Sequence, residues 1–176
     1  MKKVAVVFLA VALLMTFAAL PVMAEPTKGQ KVPVTFTVKP MTMSVPDPGY
    51  SWYTPGGVFH ARGHVETVFV VINIGGTVYN NAFFVMSEDG MWNPEEKTMS
   101  MSTDDVLYLP TQGSASGFAG NGHVKLYNFV WGTPPSWTDQ TMFHLWHGFG
   151  SFEGQTILLS YDGPRSIQTT GWCLKG

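Results

Sequence analysis

From Val32 onward the apolar residues of this chain tend to recur at every second position, and no stretch after residue 24 sustains the period of a capped helix. Val34, Phe36 and Val38 fall on one side of an extended segment, with Thr35 and Thr37 on the other. The longest such stretch is Val58 to Ile74. In its first half His60, Arg62, His64 and Glu66 alternate with Phe59, Ala61, Gly63, Val65 and Thr67; in its second half, Val68 to Ile72 is apolar on both faces. A strand that is polar on one side at one end and buried on both sides at the other suits a curved sheet or a barrel.

Turn residues divide the rest. Gly75-Gly76 reads as a hairpin, with Thr77 to Met86 as its return strand. Ser87-Glu-Asp-Gly90 reads as a further turn, Asp104-Asp105 as punctuation, and Pro110 to Gly122 as a Gly- and Ser-rich connection. Thr98 to Thr103 is a strand with a Met face. His123–Trp131, Met142–Phe149, Gln155–Tyr161 and Ile167–Leu174 complete the count. The expected fold is all-β: an antiparallel up-and-down barrel of about eight strands, with a β-sandwich as the alternative. Cys173 is the only cysteine, so no internal disulfide forms, and it reads as a small buried side chain near the last strand. Closure into a barrel then removes the sheet edges that would otherwise invite aggregation.

The start of the chain sets the compartment. Lys2 and Lys3 precede an apolar run from Val4 to Leu20, Pro21 breaks it, and Val22-Met23-Ala24 offers small residues for cleavage. Residues 1–24 are therefore expected to be a secretory signal peptide, and 25–176 a single exported domain with no remaining membrane span. Ten Lys or Arg stand against twelve Asp or Glu. Loss of Lys2 and Lys3 takes the net charge to about −4. With no basic run anywhere, nucleic acid is not an expected partner. Apolar content of 45% is too high for a disordered chain.

The C-terminal third carries a resemblance. His144-Leu-Trp-His-Gly-Phe-Gly-Ser-Phe-Glu-Gly-Gln-Thr156, with Gly117-Phe-Ala-Gly-Asn-Gly122, resembles the Gly-rich strand pairs of small secreted calycin-like barrels of the allene oxide cyclase and dirigent type. The likeness concerns turn glycines and includes no site motif, so no functional residue carries over. It implies a central cavity for a small apolar or aromatic molecule. Phe, Gly and Tyr also recur at an offset of 34 residues between Gly117–Tyr127 and Ser151–Tyr161, which suggests two matched turn-and-strand units.

Candidate site residues come from the polar face and the aromatics. If the face His60, Arg62, His64 and Glu66 lines a barrel interior, His60 and His64 become acid/base candidates; if it faces solvent, it is an ordinary sheet surface. His123 and His144 could join them from neighbouring strands. His60 and His64 are too far apart on one straight strand to chelate one ion, and there is no strong metal motif, so neither metal nor cofactor is expected. The pairs Glu88-Asp89, Glu95-Glu96 and Asp104-Asp105 read as solvated turns. Tyr50, Trp52, Tyr53, Trp92, Trp131 and Trp137 lie in or beside loops, where they cap a barrel or stack on a sugar or an apolar ligand. The expectation is an exported binding barrel for a small apolar, aromatic or carbohydrate ligand, its binding residues drawn from His60, Arg62, His64, Glu66, Trp52, Tyr53, His123 and His144. A barrel enzyme, cyclase-like or His-metal dependent, and a structural cell-envelope protein are the alternatives.

Overall fold

The computed structural model describes residues 29–110, 115–131 and 135–176; the expected signal peptide lies outside them. Ten strands follow in order: β1 (Lys31–Val38), β2 (Ser44–Asp47), β3 (Tyr50–Tyr53), β4 (Phe59–Ile74), β5 (Thr77–Asn93), β6 (Thr98–Leu109), β7 (Ser116–Tyr127), β8 (Asp139–Phe149), β9 (Gln155–Pro164) and β10 (Gln168–Lys175). From β4 to β10 each strand pairs antiparallel with the next. β1 then pairs with β10 along one edge and with β4 along the other, from Val34 opposite Ile74 to Val38 opposite Val70. The result is a closed barrel of eight strands, not a sandwich. Among the described residues no helix is long and apolar enough to cross a membrane.

β1 is half the length of β4, so it covers only one end of that strand's edge. The short strands β2 and β3 take the rest, opposite Val65–Thr67 and Phe59–Arg62. This divides the barrel into two ends. At the end sealed by β1, the interior is filled by Val34, Val70, Ile72, Leu107, Phe118, Ile157 and Leu159, all essentially without solvent contact. Phe36, Phe84 and Trp146 form a three-ring contact there, with centroids 5.3–5.5 Å apart. Cys173 is buried in the same core, as expected. At the other end the walls are Met99, Met101, Leu126 and Phe129, with Trp92 and Trp137 packed against them.

Gly75 and Gly76 form the expected hairpin, both with positive φ (59° and 98°), as a tight two-residue turn requires. Two expected turns are instead strand, and so is the last part of the expected connection Pro110 to Gly122, of which residues 111–114 lie outside the described residues. Ser87–Gly90 lies within β5, Asp104–Asp105 within β6, and β7 begins at Ser116. The polarity at these positions arises because β5 and β6 cross a polar zone of the interior, with Glu88 paired to Thr103 and Met86 to Asp105. Tyr50–Tyr53, read as loop, is β3. The 34-residue echo does not mark a structural repeat. Phe118 lies in β7 and Phe152 in a short 3₁₀ turn, while Gly120 is in a strand and Gly154 in a turn with φ of 78°. The two Phe rings pack on each other instead, at 5.1 Å.

Candidate functional site

The site depends on one irregularity in β4. Ala61 pairs with Gly90 and His64 with Glu88, so Arg62 and Gly63 together stand opposite the single residue Asp89. This is a β-bulge, with Gly63 at φ 65°. Asp89 pins it: Oδ1 accepts the Gly63 amide at 2.8 Å, and Oδ2 lies 3.6 Å from Arg62 Nε. The extra residue reverses the alternation. Before the bulge Phe59 and Ala61 point inward and His60 and Arg62 outward; after it His64 and Glu66 point inward, in line with Val68 and Val70. The face His60, Arg62, His64 and Glu66 expected from strict alternation is therefore split between the two sides of the wall.

Inside lies a cavity of about 460 Å³. Its walls are mainly apolar, from Phe59, Met99, Met101, Leu126, Phe129, Trp131 and Trp137. The rings brace one another, with Trp131 edge-on to Phe59 (5.4 Å) and to Phe129 (5.0 Å). Trp137 is fixed by its Nε1–H donating to Gln140 Oε1 at 2.8 Å and by the Arg165 guanidinium 4.2 Å from its ring centre.

The polar groups converge at His64, Glu66 and Glu88. His64 Nε2 lies 3.0 Å from Glu66 Oε1, and its Nδ1 is 3.3 Å from the Pro48 carbonyl. A carbonyl only accepts, so Nδ1 carries a proton and Nε2 is the atom that faces the carboxylates. Burial pulls the His64 pKa down. The hydrogen bonds to Glu66 and Pro48 and the charges of Glu66 and Glu88 outweigh it, and the net shift is upward. Burial, with the nearby Glu66 and Asp105 carboxylates, pushes Glu88 up to about 7 despite the opposing effect of His64. Glu88 is thus poised between acid and carboxylate near neutrality.

Glu88 also borders a smaller hollow of about 110 Å³, shared with Thr103, His144, Phe36 and Phe84. Here Asp105 Oδ2 accepts from His144 Nδ1 (2.6 Å) and from Trp146 Nε1 (2.8 Å). Asp105 Oδ1 and Thr103 Oγ1 are buried without a hydrogen-bond partner. Gly122 makes room for this arrangement, since a Cβ there would run into the His144 ring.

The expected binding residues thus occupy several places. His64 and Glu66 meet in the large cavity, and His144 lies in the smaller hollow. Trp52, His60 and Arg62 form an outward shelf over a shallow depression of about 270 Å³. On it the Trp52 and His60 rings stack at 5.0 Å, and Tyr50 stacks on Trp52 at 5.5 Å. Tyr53 packs against Phe59, and His123 sits on the outer face, 3.4 Å from Ser100 Oγ. The loop aromatics divide likewise, Trp131 and Trp137 toward the cavity and Tyr50 and Trp52 outside.

Glu88 and Asp105, expected in solvated turns, are the main interior acids that sequence reading missed. A signal for them existed. Ala82, Phe84, Met86 and Glu88 share one face of β5, and Leu109, Leu107, Asp105, Thr103, Met101 and Met99 share one face of β6. Following either alternation through the acidic residue places it inside. Comparison with family models, curated proteins and solved structures finds no match for the chain, so its function is argued from this geometry.

Proposed function

We propose that the protein is an exported barrel that binds one small, largely apolar or aromatic molecule in the large cavity, with a polar group of the ligand set against His64, Glu66 and Glu88. The carrying observation is the pairing of an unfilled, ring-lined space of about 460 Å³ with converging polar side chains. That volume falls in the range of small-molecule sites, and apolar walls with a few placed polar groups are their usual composition. The resemblance to secreted calycin-like barrels is part of this proposal, as is cleavage after Ala24, which would give a mature chain beginning at Glu25 by mass spectrometry.

The test uses N-phenyl-1-naphthylamine, a neutral aromatic fluorophore. Its emission should rise on binding, saturably and with micromolar affinity, on the order expected for a small apolar ligand. Met101→Trp, which fills the cavity, should abolish the rise, and Trp52→Ala, on the outer shelf, should leave it unchanged. Absence of saturable binding to the folded wild type would refute the proposal.

The exposed Tyr50–Trp52–His60 stack supports a second reading, a surface on which a sugar ring stacks. In that case Trp52→Ala abolishes retention on a polysaccharide matrix and Met101→Trp does not.

A further inference from the structure

The geometry points to a binding site for one divalent transition-metal ion, held by His64 Nε2 and the carboxylates of Glu66 and Glu88, with open coordination positions facing the large cavity. One ligand atom from each of the three residues lies within 4.8 Å of the other two. The fold brings them together by two devices. The ladder sets His64 directly opposite Glu88, and the Gly63 bulge turns His64 and Glu66 inward. Without the bulge the set does not exist.

The surroundings of His64 are those of a metal ligand. Its Nδ1 proton is engaged by the Pro48 carbonyl, which fixes the ring and the tautomer and leaves Nε2 as the donor atom. Nε2 and Glu66 Oε1, 3.0 Å apart, are both lone-pair donors, so a cation must stand between or beside them, a proton or a metal. With His64 neutral and both glutamates ionised, the cluster carries two negative charges, and one divalent ion neutralises it without another counter-charge.

A second observation lies next to the cluster. Thr103 faces Glu88 directly across the β5–β6 ladder and lines the same hollow as Glu88. Its hydroxyl is buried with no partner, and the residue is only 4% exposed. A buried hydroxyl normally has a hydrogen-bond partner. The hydroxyl leans toward Gly122 and His144, and a water in the shared hollow, held in turn by the metal-bound Glu88 carboxylate, would supply one here.

One imidazole and two carboxylates suit zinc, manganese or ferrous iron better than calcium or magnesium, which favour all-oxygen sets. Three protein ligands beside a cavity leave positions open, as in sites where the metal grips a ligand or activates water. This departs from the sequence expectation of no metal, which weighed histidine sets and acidic turns separately and no combination of the two. It does not rest on the apolar-ligand reading, and its probe is the metal alone.

The experiment is titration of the chelator-stripped mature protein with Zn²⁺ by calorimetry, elemental analysis after gel filtration, and Co²⁺ substitution read by visible absorption. The wild type should take up one ion per chain, and the Co²⁺ spectrum should show low-coordinate bands. His64→Ala and Glu88→Gln should each weaken binding by about a hundredfold or more and abolish those bands. His60→Ala, on the outer face, should bind as the wild type does. Circular dichroism checks the fold. Glu88→Gln keeps the side-chain shape and removes a buried acid, so it is the variant expected to fold if His64→Ala does not. No uptake by folded wild type, or stoichiometric uptake that survives Glu88→Gln, overturns the site. Either result leaves binding of N-phenyl-1-naphthylamine as a separate measurement.

Discussion

The buried trio Asp105, His144 and Trp146 gives the sharpest test of how this interior is held. Asp105 Oδ2 is the acceptor for two donors at once, His144 Nδ1 and Trp146 Nε1. The three residues are 2%, 6% and 1% exposed, so water has little access to any of them. Asp105→Ala strands both donors. Each buried group left unsatisfied costs about 1–3 kcal/mol, and two donors are left so here. The expected loss is about 4 kcal/mol. For a chain of this size that lowers the melting temperature by roughly 10 °C or more. Asp105→Asn keeps an oxygen in place and gives up only the charge, so it should cost about half as much. Urea unfolding followed by tryptophan fluorescence and far-UV circular dichroism measures both, with the midpoint shifted and the slope unchanged. A double-mutant cycle with His144→Ala isolates the pair. The adjoining hollow of about 110 Å³ supplies the result that would refute the reasoning. A water entering it could replace the lost carboxylate. If Asp105→Ala costs under about 1 kcal/mol, the trio is solvated through that hollow and is not a dry structural contact.

Gly63→Val should destabilise the barrel by about 1–2 kcal/mol, because β-branched residues resist the positive φ of the bulge; stability equal to wild type in urea unfolding would contradict the bulge geometry. In chelator-treated protein, stability should fall as pH rises from about 4.5 to about 7, since Glu88 holds its proton in the folded state and gives it up when unfolded. The loss is at most about 3 kcal/mol. His64, raised as well, acts in the same sense, its contribution being lost as pH passes upward through its folded pKa. Glu88→Gln should flatten the profile, and Glu88→Leu should be more stable than wild type at pH 8, measured by thermal melts across that range. Cys173, buried and with its thiol pushed up by burial against the weaker pull of Lys175, should be unreactive to a thiol-specific chromogen until the protein is denatured.

The barrel was legible because period-two alternation survives in nearly every strand. Val34-Phe36-Val38 and the Met face Met99-Met101 point inward as read. The glycine pair at 75–76 marked its hairpin because few other residues take up positive φ in succession. The site was legible only in part. Alternation identifies faces only while one residue adds one pleat, and the bulge at Arg62–Gly63 adds a residue without advancing the partner strand. His60 and Arg62 were thus grouped with His64 and Glu66, from which they are separated by the sheet itself. Glu88 and Asp105 were lost for the opposite reason. Acidic residues beside Gly or another acid resemble turns, and only pairing with the neighbouring strand shows that they continue an inward face.

The two ends of the barrel serve different needs. Where β1 seals β4, the interior is filled with aliphatic and aromatic side chains, and the hydrophobic contribution to stability concentrates there. Where β2 and β3 replace β1, the same strands carry methionines and rings that line a space instead of filling it, with a buried acid at its edge. Filling that space with Leu and Val would add burial and remove the strain of confining Glu66, Glu88 and Asp105 together. A barrel shaped for stability alone has no use for such a layer. Local rules broken at one level, without compensation at that level, mark functional positions. By that criterion the bulge, the paired His64 and Glu66, and Glu88 with its pKa pushed up by burial form one unit: the bulge aims two of the groups, and the hollow end gives all three something to face.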